Sequence, residues 1–225
     1  MRTRVAVAGA ALLIALSGCS PMPSADGTPG SSVTDPPSAS STPSPVPTRP
    51  ALSSLTIGTE GIGELVIGQP VPSGDPDTAL VRWDENACDG GSSPAAWVAA
   101  YPDVTPGPWG GPWPFGISTE GQVRTAPIGF ILVTAPGIAT EKGIRVGSTR
   151  DQVLAAYSST LTATPGPLST TYSLLGSAGR LQIEVPFGTS GAASGSDTVA
   201  ALSTIPASAA PFTMAGSDGG APCSG

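Results

Sequence analysis

The residues best suited to chemistry lie in two short stretches. In the first, RWDENACDGG (82–91), Asp84, Glu85 and Asp89 crowd around Cys88. Two neighbouring carboxylates can divide acid and base roles in glycoside cleavage, and carboxylate oxygens are ligands that calcium accepts. Neither chemistry has further support, because the stretch lacks the oxygen spacing of a twelve-residue calcium loop. A solvated acidic turn accounts for it. The remaining catalytic inventory is short. The chain has no histidine, which removes Ser-His-Asp and Cys-His catalysis. It has no CxxC spacing either, so no metal site is expected. No G-x-S-x-G elbow occurs, and Ala139 stands where a Ser-x-x-Lys pair would need its serine before Lys142. Gly61-x-Gly63 is followed by Val66 where a dinucleotide fingerprint needs glycine. No catalytic activity and no cofactor are expected.

The second stretch, TPGPWGGPWPFG (105–116), places Trp109, Trp113 and Phe115 on a loop with Pro108, Pro112 and Pro114. Prolines stiffen the backbone, so exposed aromatics there lose little entropy on binding. Tryptophan anchors protein contacts and offers a flat apolar face to sugars. Three uses stay open: folding back to cap a sheet, contacting a protein, or stacking on glycan. Trp83 and Trp97 fall in strand patterns and are expected in the core.

Charge narrows the partners. Only 11% of residues are charged and the formal net charge is −7. No run of basic residues occurs, so nucleic acid and anionic lipid headgroups are not expected as partners.

The N-terminus sets location. Arg2 and Arg4 precede an apolar run over 5–16. That run is too short to span a bilayer comfortably and suits a cleaved secretory signal over 1–18. It ends in Leu16-Ser17-Gly18-Cys19, which resembles the bacterial lipobox: an aliphatic residue, two small ones, then cysteine. The resemblance implies a diacylglyceryl thioether on Cys19 and cleavage just before it. The lipid would anchor the chain to the extracytoplasmic face of the cell membrane. Two acyl chains hold far better than one, each buried CH₂ contributing roughly 0.8 kcal/mol. Residues 19–50 come next, rich in Ser, Thr and Pro with few large apolar side chains. Such a segment cannot offset the entropy of folding and reads as a disordered stalk, with a composition similar to O-glycosylated stalks. With Cys19 lipidated, Cys88 and Cys223 can pair in one way only in an oxidising compartment. Such a pair would stabilise by roughly 4–5 kcal/mol in the chain-entropy model; two free thiols are the alternative.

The elements that position these residues lie in 51–225, read as one folded α+β domain. Strand signals dominate: GELVIG, TALVRW, AAWVAAY, PIGFILVTAP, TTYSLL, RLQIEVPF and DTVAALSTI are apolar, alternating or β-branched. PIGFILVTAP is the most hydrophobic and is expected at the centre of a mainly antiparallel sheet. GSAGR reads as a hairpin turn. One helix is clear, at about 148–158, with Ser148 as expected N-cap and Asp151 three residues on.

Two segments echo each other. GELVIGQPV and KGIRVGSTRDQV each end an apolar strand in glycine, Gly68 and Gly147, 79 positions apart. The second resembles the start of the strand–helix–sheet repeat in bacterial envelope lipoproteins related to BamE and the beta-lactamase inhibitor protein. That resemblance covers 143–205 and implies a helix leading into an antiparallel sheet, with tandem repeats over 51–125 and 126–225. The first half departs from it, since Pro70, Pro72 and Pro76 occupy the place of the helix. The expectation is a lipid-anchored binding or scaffolding protein of the cell envelope. Its partner would be an envelope protein, or alternatively a cell-wall glycan or small ligand met by the loop aromatics; a carboxylate-based hydrolase comes last.

Overall fold

The computed structural model describes residues 47–87, 95–101, 113–187 and 197–214. Cys19, Cys88, Cys223, Asp89 and Trp109 lie outside them, and with them the expected signal, most of the stalk and the disulfide.

The alternating segments form strands. A small sheet contains β1 (Thr56–Ile57), β2 (Gly61–Ile62), β3 (Leu65–Val66) and β8 (Ala139–Thr140) in the order β3-β2-β1-β8. GELVIG therefore contributes a two-residue strand to a tight hairpin rather than one long strand. The large sheet has eight strands: β4 (Val81–Asp84), β5 (Ala96–Ala99), β6 (Phe115–Thr119), β7 (Ile128–Val133), β9 (Thr162–Pro165), β10 (Ser169–Leu175), β11 (Gly179–Pro186) and β12 (Ala201–Pro206). Their order is β4-β5-β6-β7-β12-β11-β10-β9, antiparallel throughout. The fold is α+β, mainly antiparallel sheet with one α-helix, α1 (Arg150–Tyr157), among the described residues. β7, from the most hydrophobic stretch, takes a central place. The β10–β11 hairpin turns at 176–178, as GSAGR predicts, with Leu175 paired to Arg180.

The large sheet is two four-strand meanders joined along β7 and β12. Each is preceded by the same turn. Gly68 N–H donates to the Ile128 carbonyl at 2.8 Å, and Ile128 N–H returns to Gln69 O at 2.8 Å. Gly147 N–H donates to Val199 O at 2.8 Å, and Val199 N–H returns to Ser148 O at 2.7 Å. Both glycines sit at positive φ, 79° and 90°, a conformation that a side chain disfavours. The first meander runs to Val133, so a division at 125 would cut β7 from the strands it closes.

The two turns lead into different structures. After Gly147 comes α1, capped by Thr149 and not by Ser148. The Thr149 hydroxyl accepts from Gln152 N–H at 3.2 Å and Gln152 Oε1 accepts from Thr149 N–H at 2.8 Å, a complete capping box. Ser148 Oγ instead accepts from Arg145 N–H at 3.0 Å. After Gly68 come Pro70, Pro72 and Pro76. Proline lacks the N–H a helix needs and clashes with the preceding turn; among 71–79 only an isolated turn closes at Asp75, whose carbonyl accepts from Thr78 and Ala79. On one face of the large sheet lies a core shared by both meanders and α1: Val81, Ala99, Ile117, Ile131, Ile183, Val153 and Tyr157 belong to it.

Candidate functional site: an arginine and tryptophan cleft

Where that core face runs under 71–79 it stays partly uncovered. Register decides which side chains show. Val81 pairs with Ala99 and Trp83 with Trp97 across β4 and β5, and residues two apart on a strand point the same way. These four form the floor of a cleft of about 870 Å³. Pro70, Val71, Pro72, Ser73, Gly74, Pro76 and Ala79 wall one side; Ala100, Tyr101, Trp113, Arg49, Arg82, Arg124 and Thr125 contribute the rest.

Trp83 and Trp97 are half-buried on this floor rather than enclosed in the core. Their rings meet edge to face, centroids 5.5 Å apart at 70°, the arrangement that ring quadrupoles favour. Each indole N–H is held: Trp83 Nε1 donates to Glu85 Oε1 at 2.7 Å and Trp97 Nε1 to the Arg124 carbonyl at 3.2 Å. The Arg124 guanidinium in turn lies 5.7 Å from the Trp83 ring centroid and 5.9 Å from that of Trp97, within cation–π range of both. At the other end, Arg49 lies 5.5 Å from the Tyr101 ring. Its Nε donates to Ala79 O at 2.6 Å and its Nη2 to Pro76 O at 2.7 Å. Tyr101 Oη donates to Pro50 O at 2.8 Å. Burial pushes the Tyr101 phenol above its ordinary value; Arg49 opposes that shift and Glu64 adds to it.

Three of the seven basic residues beyond position 18 line this cleft, and no Asp or Glu among the described residues does. Arg49, Arg82 and Arg124 are far apart in the chain, and only the sheet gathers them. They are not equivalent. Arg82 is ion-paired with Asp84 at 2.7 Å, and Arg49 spends its donors on two carbonyls. No described side chain or carbonyl takes the N–H groups of Arg124.

The predicted loop aromatics separate. Trp113 lines the cleft. Phe115 is no loop residue: it opens β6, is 1% exposed, and packs 6.0 Å from Tyr101. An apolar ring that starts a buried strand supports the cleft from beneath and cannot meet a partner. Asp84 and Glu85 are each engaged, Asp84 with Arg82 and Asn86 N–H and Glu85 with Trp83. No group of three metal-ligating side chains occurs among the described residues, and no described helix is long and apolar enough to cross a membrane.

No protein-family model matches the chain, and no curated protein does. Among solved structures it is similar to that of the uncharacterized protein yfeY from Escherichia coli, with 14% sequence identity and a TM-score of 0.37, over 67% of this chain and 99% of that one.

Proposed function

We propose that this chain is a lipid-anchored extracytoplasmic binding protein of the cell envelope, without catalytic activity, whose working surface is the cleft between 71–79 and the floor of β4 and β5. The lipid on Cys19 is the anchor, and the stalk lets the domain stand off the membrane. The observation that carries the assignment is the concentration of Trp83, Trp97, Tyr101, Trp113 and three arginines around one concave space. Ligand sites combine apolar and aromatic walls with a few placed polar groups, in volumes of roughly 300–1,000 Å³. A concave site of this kind favours a glycan or small ligand over a flat protein scaffold contact.

The test uses the full chain in detergent, incubated with insoluble cell-wall material and with its soluble fragments. Retention should fall by roughly tenfold or more when Trp97 and Trp113 are both changed to Ala. Retention unchanged in that variant would remove the cleft from the account. Crosslinking of a single envelope protein, with no wall material or fragment bound, would transfer the chain to a scaffolding role.

A further inference from the structure

We infer that the occupant of the cleft is an anionic saccharide: a sugar ring carrying a carboxylate or a phosphate, its anion held by Arg124. The inference rests on the cleft being a binding site and deepens that assignment.

Arg124 carries it. A guanidinium presents five N–H donors in a planar fork that matches a carboxylate or phosphate two bonds at a time. Stacking uses its faces and leaves that donor edge unspent. Here the guanidinium carbon lies within cation–π range of both Trp83 and Trp97, the backbone carbonyl of the same residue is tied to the Trp97 indole, and no described acid pairs with the charge. Arg82, in the same cleft, is by contrast paired with Asp84, and Arg150 with Asp197 at 3.2 Å. A chain of net charge −7 repels anions in general. With Arg82 paired to Asp84, Arg49 and Arg124 are the cations without a described acidic partner in a lining that holds no described carboxylate, so binding there discriminates by charge. The remaining wall supplies the second half of the recognition. Trp113, Tyr101 and Val71 form aromatic and aliphatic surface suited to the apolar face of a sugar ring.

The origin of the space supports a built site. The same hydrogen-bonded turn that leads into α1 after Gly147 leads after Gly68 into the proline-rich wall of the cleft. Among the described residues, the sheet face is thus left open at the point where its tryptophans stand.

The experiment titrates the full chain in detergent with a glucuronate oligomer, a sugar phosphate, an uncharged glucose oligomer and inorganic phosphate, read by tryptophan fluorescence. At least one of the two anionic sugars should bind about tenfold tighter than the uncharged oligomer, and which of the two does so assigns carboxylate or phosphate. The preference should disappear at about 1 M salt and in Arg124→Gln, and should survive in Lys142→Gln outside the cleft. Equal binding of charged and uncharged sugars, or a preference that survives Arg124→Gln, overturns the inference while leaving the cleft a binding site. Inorganic phosphate bound as tightly as the sugar phosphate overturns its saccharide half. No binding of any probe overturns both the inference and the assignment it rests on.

Discussion

At the residue scale, Trp83 and Trp97 hold Arg124, Tyr101 holds Arg49, and Phe115 lies beneath. The acidic turn beside them has a different job. The Asp84 carboxyl is held below its ordinary value, first by the Asn86 N–H and then by Arg82. A lowered value means that the contribution is present above the usual carboxylate range and is lost as the pH falls through the lowered one. The carboxylate is only partly buried and its partner Arg82 is exposed, so solvent screens the interaction and the effect is small. Asp84→Asn should cost at most about 0.5 kcal/mol near neutral pH, nothing in strong acid, and no ligand affinity. Denaturant unfolding at both pH values checks this, and a calcium-dependent loss would favour a metal role for the turn. Of the aromatics singled out in the proline-rich stretch, Trp113 lines the cleft and Phe115 is buried, while Trp109 lies outside the described residues. Trp83 and Trp97 alternate like core residues, and their half-exposure arises because no described residue covers them fully. Arg49, Arg82 and Arg124 carry no mutual spacing signal, since antiparallel pairing and two loops bring them together.

At the element scale, the two meanders show how one local rule shapes a site. Equivalent turns at Gly68 and Gly147 are followed by prolines in one case and by a capped helix in the other. The helix, most strands and the β10–β11 turn were legible because period, capping and turn residues act locally. The cap itself was misplaced by one residue, because Ser148 and Thr149 are both good N-caps and only the turn hydrogen bond of Ser148 decides between them. Thr149→Ala should therefore destabilise by about 1 kcal/mol. The same loss from Ser148→Ala, with Thr149→Ala silent, would return the cap to Ser148. β6 and β9 carry no clear strand signal: Phe115–Thr119 comes straight after a proline-rich run, and Thr162–Pro165 is short and mostly exposed.

At the scale of the whole molecule, the face of the sheet opposite the core combines a small apolar cluster of Leu132, Ala201 and Met214 with buried polar side chains, and 212–214 packs on it. Glu184, 1% exposed, accepts from Ser169 Oγ at 2.6 Å and from Met214 N–H at 2.8 Å. Gln182 accepts from Phe212 N–H at 3.1 Å and donates to Ser203 Oγ at 3.1 Å. This network ties the last described residues to β11. Buried donors that lose their acceptor cost about 1–3 kcal/mol each. Glu184→Ala should thus lower stability by about 2–4 kcal/mol and raise the protease sensitivity of 207–214 before the sheet yields. A loss below about 0.5 kcal/mol would mean that the tail is not held this way. Nothing in RLQIEVPF announced such a partner, because alternation marks which residues share a face and not what lies on it.

The central claim, that the cleft over β4 and β5 is where this protein binds, is met most directly by the indole N–H resonances of the full chain in detergent micelles. Cell-wall fragments are added in steps, and assignments come from single Trp→Phe variants. The Trp83, Trp97 and Trp113 signals should shift together and saturate at one ligand concentration, with Trp97 moving most because its N–H is tied to Arg124. Saturable binding that leaves all three unmoved would place the site elsewhere and contradict the account.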